Sequence, residues 1–426
     1  MRAYVLLFVA SSACAAYVPR VQRTAPPRAR AAACAPGTAS EISDAWFKVA
    51  VDTSAAADGA ASAPLDDVRA SAAAQLSGLS FPGRKIEAWR RTDLSSLASA
   101  QLVAPQSMDV ESMVADSATE ATDGARLVLV DGVCNAALSD LSALPSGVSI
   151  GSLLNAGGDA EASVRAALRA PLPEAEADVR TALGSYTFAA LNQASLRDVA
   201  YIHVPPEVSV DIPIHVLYLS SGADAAAEGA QAPTEIAASH PSLIVSVGTN
   251  ASVHVLQQYR GSGSYWTNAL TRILLDEDST IQHSYVQEQA VSAVHLDSIQ
   301  VEAAAGACYE NALLQSGGRI GRINQLVNLN GPGARSELRG LALATGNQVS
   351  DLHSFVRHVR VQAPSRSPPP PPPLLRARVA SAPTPCRPRA VVISPLRVSD
   401  AAPHHRFRPT ARAIRSSATR SPGVDG

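Results

Sequence analysis

Downstream of Tyr201 the chain alternates. Val208, Val210, Ile212, Ile214 and Val216 are separated by Ser209, Asp211, Pro213 and His215, a two-residue period that puts the apolar side chains on one face of an extended segment. Short segments of the same kind follow at about 242–247, 252–259, 268–275, 280–289, 294–302, 308–315, 320–329 and 336–344. Turn residues separate them, at Gly248–Asn250, Gly261–Gly263, Asp276–Asp278, Gly317–Gly318 and Asn330–Gly331. Short strands at this spacing predict a sandwich, a barrel or a β-helix, and periodicity alone does not choose among them. Small residues gathered at Ala303–Ala305 and Ala342–Ala344 favour closely stacked rungs.

The first half of the chain has a different pattern. From residue 41 to about 122 it reads as helical or loose, with Ala-rich acidic stretches broken at Pro64, Pro82 and Pro105. A second helical stretch runs from about Ala160 to Asp198, interrupted by Pro171 and Pro173, and between the two a short strand leads into a turn at Asp131–Gly132. The expected division is therefore a presequence (1–40), a helical region with a short strand unit (41–200), a β core (201–360) and a tail (361–426). The tail holds 14 prolines, including the run Pro368–Pro373, and no sustained apolar period. Such a segment buries too little apolar surface to offset its ordering entropy, and disorder is expected.

Charge sharpens these boundaries. Residues 1–40 carry five arginines and no acid, and residues 361–426 carry eleven arginines against two aspartates, which leaves 19 basic and 35 acidic residues in the middle. An acidic middle is a poor nucleic-acid surface, because such surfaces work by displacing counterions with clustered positive charge. The only lysines are Lys48 and Lys85, preceded by Phe47 and Arg84, so no Gly-Lys-Ser/Thr phosphate loop exists and the chain is not itself a P-loop ATPase. Five cysteines at 14, 34, 134, 308 and 386 have neither metal-ligand spacing nor the look of a secreted disulfide framework. At the N-terminus, MRAYVLLFVASSACAA reads as a secretory signal too short to span a bilayer, followed by an arginine-rich, acid-free stretch opening on Tyr17. A signal joined to a transit-like stretch resembles the two-part presequence that directs proteins to the plastid stroma.

Five stretches, in order, resemble the SufB/SufD family of iron-sulfur cluster assembly scaffolds, on its SufD side. They are FPGRKIEAWRRTDL at 81–94, with Pro82, Glu87, Trp89 and Thr92; the stretch 127–153; FAALNQAS at 188–195; the stretch 240–270; and DLHSFVRHV at 351–359. The resemblance implies a right-handed parallel β-helix with an α-helical N-terminal region. It also implies pairing with a SufB-like subunit and with the SufC ATPase, and an iron-sulfur cluster assembled transiently on the complex, with no cofactor held tightly by this chain. The family continues with a late Cys/His segment and a helical region that docks the ATPase. Neither is visible after Val359, so residues 361–426 are expected to be read-through of noncoding sequence, and the ATPase docking region to be missing. Alternatives are the SufB paralogue, which the SufD-like stretch 127–153 disfavours, and a β-helix carbohydrate-active enzyme, which needs carboxylates gathered in one cleft.

The chain is expected not to be an enzyme. It has no HExxH pair and no GxSxG elbow, and GGRIGR at 317–322 reads as a turn because strands flank it on both sides. Asp351 and His353 share a strand face whereas His358 points the other way, so these three are weak metal candidates and a structural role for them is favoured. Cys308 has no basic residue within five positions to lower its pKa, and a buried packing role is expected for it and for Cys134. His203, His215, His254, His283 and His295 fall singly on different segments, and only stacked rungs would bring any of them together.

Overall fold

A computed structural model describes residues 39–56, 63–106, 108–117, 124–223, 234–358 and 389–399. Four short strands come first: β1 (Gln101–Val103), β2 (Ala125–Val130), β3 (Val133–Cys134) and β4 (Ser149–Ser152). Then follow β5 (Ala200–Val204), β6 (Ser209–Ser221), β7 (Glu235–Ser239), β8 (Ser242–Val247), β9 (Ser252–Ser262), β10 (Tyr265–Leu275), β11 (Thr280–Gln289) and β12 (Val294–Ala303). The last are β13 (Cys308–Gly317), β14 (Ile320–Leu329), β15 (Arg335–Ala344), β16 (Val349–His358) and β17 (Arg389–Ser399). From β8 to β16 successive strands enter two sheets by turns, giving the orders β16-β14-β12-β10-β8-β5-β4 and β17-β15-β13-β11-β9-β6-β2-β3. Strands related by one turn pair in parallel, as where Ser252, Thr280 and Cys308 stack in register. Of the three architectures open to the sequence, this is the parallel β-helix.

The stacking repeats a backbone strain at one corner. Asn250 and Asp278 have φ of 57°, Gly306 69° and Gly333 76°, each two residues before the start of a stacked strand. Glycine adopts this left-handed conformation freely, and Asn and Asp are the L-residues that tolerate it best.

The two sheets differ in what covers them. One face of each forms the lumen, filled toward one end by Val253, Val255, Ile273, Leu275, Ile281, Val301, Val327 and Leu329. The outer face of the β8–β16 sheet is covered by the N-terminal region, so every residue of β14 is buried, whereas β11 in the other sheet keeps an alternation of buried and exposed positions. The cover comprises α1 (Ala39–Ala56), α2 (Asp66–Leu76), α3 (Ser95–Ser99), α5 (Gly158–Arg169), α6 (Ala177–Leu183) and α7 (Tyr186–Ala194), while α4 (Val110–Asp116) packs on Val128, Leu217 and Leu219 of the other sheet. Phe47, Trp89 and Phe188 pack on Trp266, Leu270 and Leu296 of the sheet. Helix α7 is buried along its whole length. Asn192 fixes it by donating to the carbonyls of Pro241 (2.9 Å) and Asn268 (2.7 Å), and the Asn268 amide donates back to the Phe188 carbonyl (3.0 Å). No helix among the described residues is long and apolar enough to cross a membrane.

Within the tail one segment is a strand. Arg389–Ser399 forms β17, antiparallel to β15 with a register shift between Leu338 and Gly340. Its middle, Ala390-Val391-Val392-Ile393, is an apolar run of one small and three β-branched residues, of the kind an open sheet edge recruits. The rest of the tail, and residues 1–38 of the expected presequence (1–40), lie outside the described residues.

Candidate functional site

Two stretches separated by most of the chain meet at Asp351. Strand register sets Arg322 of β14 beside Asp351 of β16, and Asn324 beside His353. Arg322 is fully buried. It donates to Asp351 Oδ2 (2.7 Å), to the carbonyls of Ala88 (2.7 Å) and Leu183 (2.8 Å), and to Asn324 Oδ1 (3.1 Å). Its guanidinium carbon lies 3.9 Å from the centre of the Trp89 ring, a cation–π contact strengthened by the absence of water. Trp89 Nε1 donates to the Gly184 carbonyl (2.9 Å), and the Thr92 hydroxyl donates to Asp351. His353 Nε2 sits 2.9 Å from Asp351 Oδ1. Burial alone would raise the Asp351 pKa; His353, the Arg322 guanidinium and Thr92 outweigh it and hold the carboxyl at about 2.

Asp351 and His353 thus share a face as their spacing predicts, but Arg322 occupies the place a cation would take. His358 lies away from both, beside Leu329. The three do not assemble, and among the described residues no group of three or more His, Cys, Asp or Glu is placed to hold a metal ion. The cluster is a fastener between the 81–94 stretch and the last two strands of its sheet.

A second polar system runs inside the lumen. Gln257 donates to Tyr218 (2.9 Å) and accepts from His283 Nε2 (2.6 Å), and His283 Nδ1 in turn accepts from Tyr309 (2.9 Å). Asn311 donates to the His283 carbonyl (3.0 Å), Gln325 donates to Asn311 Oδ1 (2.8 Å), and Ser354 donates to Gln325 Oε1 (3.0 Å). The chain of hydrogen bonds therefore crosses from β6 to β16. Beside it Tyr285 donates to Asp297 Oδ2 (2.7 Å) and lies 2.6 Å from His295 Nε2. Burial pushes Asp297 up to about 7 against the lowering effect of Tyr285 and Tyr259, and holds His283 and His295 down at about 3. Stacked rungs do bring two of the five single histidines into one seam.

The remaining candidates are quieter. Cys308 is buried with its thiol 3.9 Å from Glu310 Oε1. Burial, reinforced by Asp198, drives the Cys134 thiol pKa upward, away from thiolate chemistry. Cys134 lines a half-open cleft of about 610 Å³ with Asp131, Arg197 and Ser221. There Asp131 accepts from the Ser221 amide (2.7 Å) and hydroxyl (2.6 Å), and burial lifts it to about 6. Gly317 and Gly318, at φ of 77° and 69°, turn the chain between β13 and β14.

The family model for the SufBD protein N-terminal region matches residues 43–216, and that for the SUF system FeS cluster assembly SufBD core domain matches residues 228–367. The chain belongs to the SufB/SufD family. It is similar to the chloroplastic protein ABCI7 of Arabidopsis thaliana, 27% identical over 312 residues that cover 71% of this chain and 61% of that protein. It is also similar to an iron-sulfur cluster assembly SufBD family protein of Synechocystis, 26% identical over 300 residues covering 68% and 62%. The match thus spans less than two thirds of the length of either relative.

For this SufB/SufD chain, two of the stretches that carry the resemblance, 81–94 and 351–359, are the two halves of the Arg322 fastener. Sequence reading passed over Arg322 because it stands inside what reads as a glycine turn. It also passed over Asp297 and Tyr285, whose only signal is a polar residue on the inward face of an otherwise apolar strand.

Proposed function

We propose that the chain is a non-enzymatic, SufD-like scaffold subunit of plastid iron-sulfur cluster assembly, acting with a SufB-like subunit and the SufC ATPase. The cluster is cargo, assembled transiently on the complex, and this chain holds no cofactor tightly. The observation that carries the reading is the succession of the two family regions on one β-helix with a helical cover. The chloroplastic relative supports the compartment. The buried polar groups favour architecture over catalysis, because Arg322 and Asp351 spend their hydrogen bonds on each other and on the 81–94 stretch.

Co-expression with a SufB-like subunit and SufC, followed by gel filtration, tests the proposal. The chain is expected to elute together with the SufB-like subunit while holding SufC weakly or not at all by itself, and the isolated chain to be colourless with no stoichiometric iron or zinc. A chain that never joins either protein would sink it.

A further inference from the structure

Several buried polar atoms approach one another beside Gly321 without a protein partner. Gln315 is fully buried, and neither its Oε1 nor its Nε2 is hydrogen-bonded; Gln287 Oε1 and His295 Nδ1 are in the same condition. Strand register gathers them, since Gln287 is beside Gln315 across β11 and β13, and His295 is beside Gly321 across β12 and β14. Gly321 makes room for this approach, because the Gln315 amide already stands where a side chain would go: a Cβ there would lie 2.3 Å from Gln315 Nε2 and 3.6 Å from Gln287 Oε1. The row along the sheet is Thr267, His295, Gly321 and Ser350, polar throughout except where the side chain is missing.

We propose that the lumen beside Gly321 is a binding site for ordered water, held between Gln315, Gln287 and His295. The atoms offered include a donor, Gln315 Nε2, and acceptors, the two amide oxygens, so the ligand must both donate and accept. A cation would meet Gln315 Nε2 and no carboxylate within this set. Anything much larger than water would have to displace Gln315. Buried polar groups left over by the protein are characteristically satisfied this way. Burial keeps the His295 imidazole neutral, so its Nδ1 can accept from water while Nε2 faces Tyr285. The water then joins the two glutamines to the Tyr285–Asp297 pair, extending the polar seam from one sheet to the other.

The full-length chain with Gln315→Met supplies a test in solution, because methionine nearly matches glutamine in shape. If water satisfies the amide, the substitution strands that water and the thermal midpoint falls by about 2 °C or more. If the amide is unpaired, removing two unsatisfied atoms raises the midpoint instead. A high-resolution crystal structure of the unsubstituted chain decides independently, and does so even if the variant fails to fold. Density for water within hydrogen-bond distance of Gln315 and either Gln287 or His295 is expected. A direct Gln287–Gln315 hydrogen bond with no such density, or a raised midpoint in the variant, would overturn the proposal.

Discussion

Replacing Arg322 with methionine keeps the length of the side chain and removes the charge that balances Asp351. The carboxylate then stays buried with only Thr92 and His353 against it. Breaking one side of a buried pair typically costs about 3–5 kcal/mol, so the urea midpoint of Arg322→Met is expected to fall steeply and that of Arg322→Met/Asp351→Leu to recover part of the loss. Equal midpoints for wild type and single variant would show that the pair is not under load. The Asp351–His353 half of this cluster was legible from a spacing of two. Arg322 was not, because its partner stands 29 positions away on the next rung, and rung register is set in three dimensions by the corners.

At the scale of elements, the corner row offers a test of what sets that register. Asp278 sits at φ 57°, where a β-branched residue is strained by about 1–2 kcal/mol and glycine is at ease. Asp278→Val is expected to lower the thermal midpoint by several degrees while Asp278→Gly leaves it nearly unchanged; similar losses in both would move the cause from the backbone to the side chain. The turn chemistry at these corners made most of the strands readable in advance. What the sequence left open was the stacking, since a two-residue period looks the same in a sandwich, a barrel or a β-helix. Strand β17 escaped for a related reason. A run of four small and β-branched residues inside an arginine- and proline-rich tail gains its energy from the edge of β15, which no local pattern reveals.

Over the whole molecule, titration sets a slope. His215, His240, His283 and His295 are pushed below the usual 6.5 by burial, to between about 3 and 4. As pH falls through 6.5 the unfolded chain takes up protons that the folded chain refuses, so stability drops toward pH 4. Asp297 works in the opposite sense: its folded value of about 7 lies above the ordinary 3.8, so the folded state keeps a proton that the unfolded state has lost, and stability falls as pH rises from 4 to 7. Asp297→Asn is therefore expected to steepen the gain in thermal midpoint between pH 4 and 7, and a slope identical to wild type would contradict the assignment. The fastener at Asp351 has a consequence in time as well. Thr92 and Asp351 are 259 residues apart, and a ribosome adding about 5–20 residues per second needs roughly 15–50 s to travel from one to the other. Through that interval Trp89 can pack against Gly184, Phe188 and Trp266 as each appears, but Thr92 lacks the carboxylate that receives its hydroxyl. The layer that is translated first is the last to be locked, and a chaperone holding the nascent chain would meet it there.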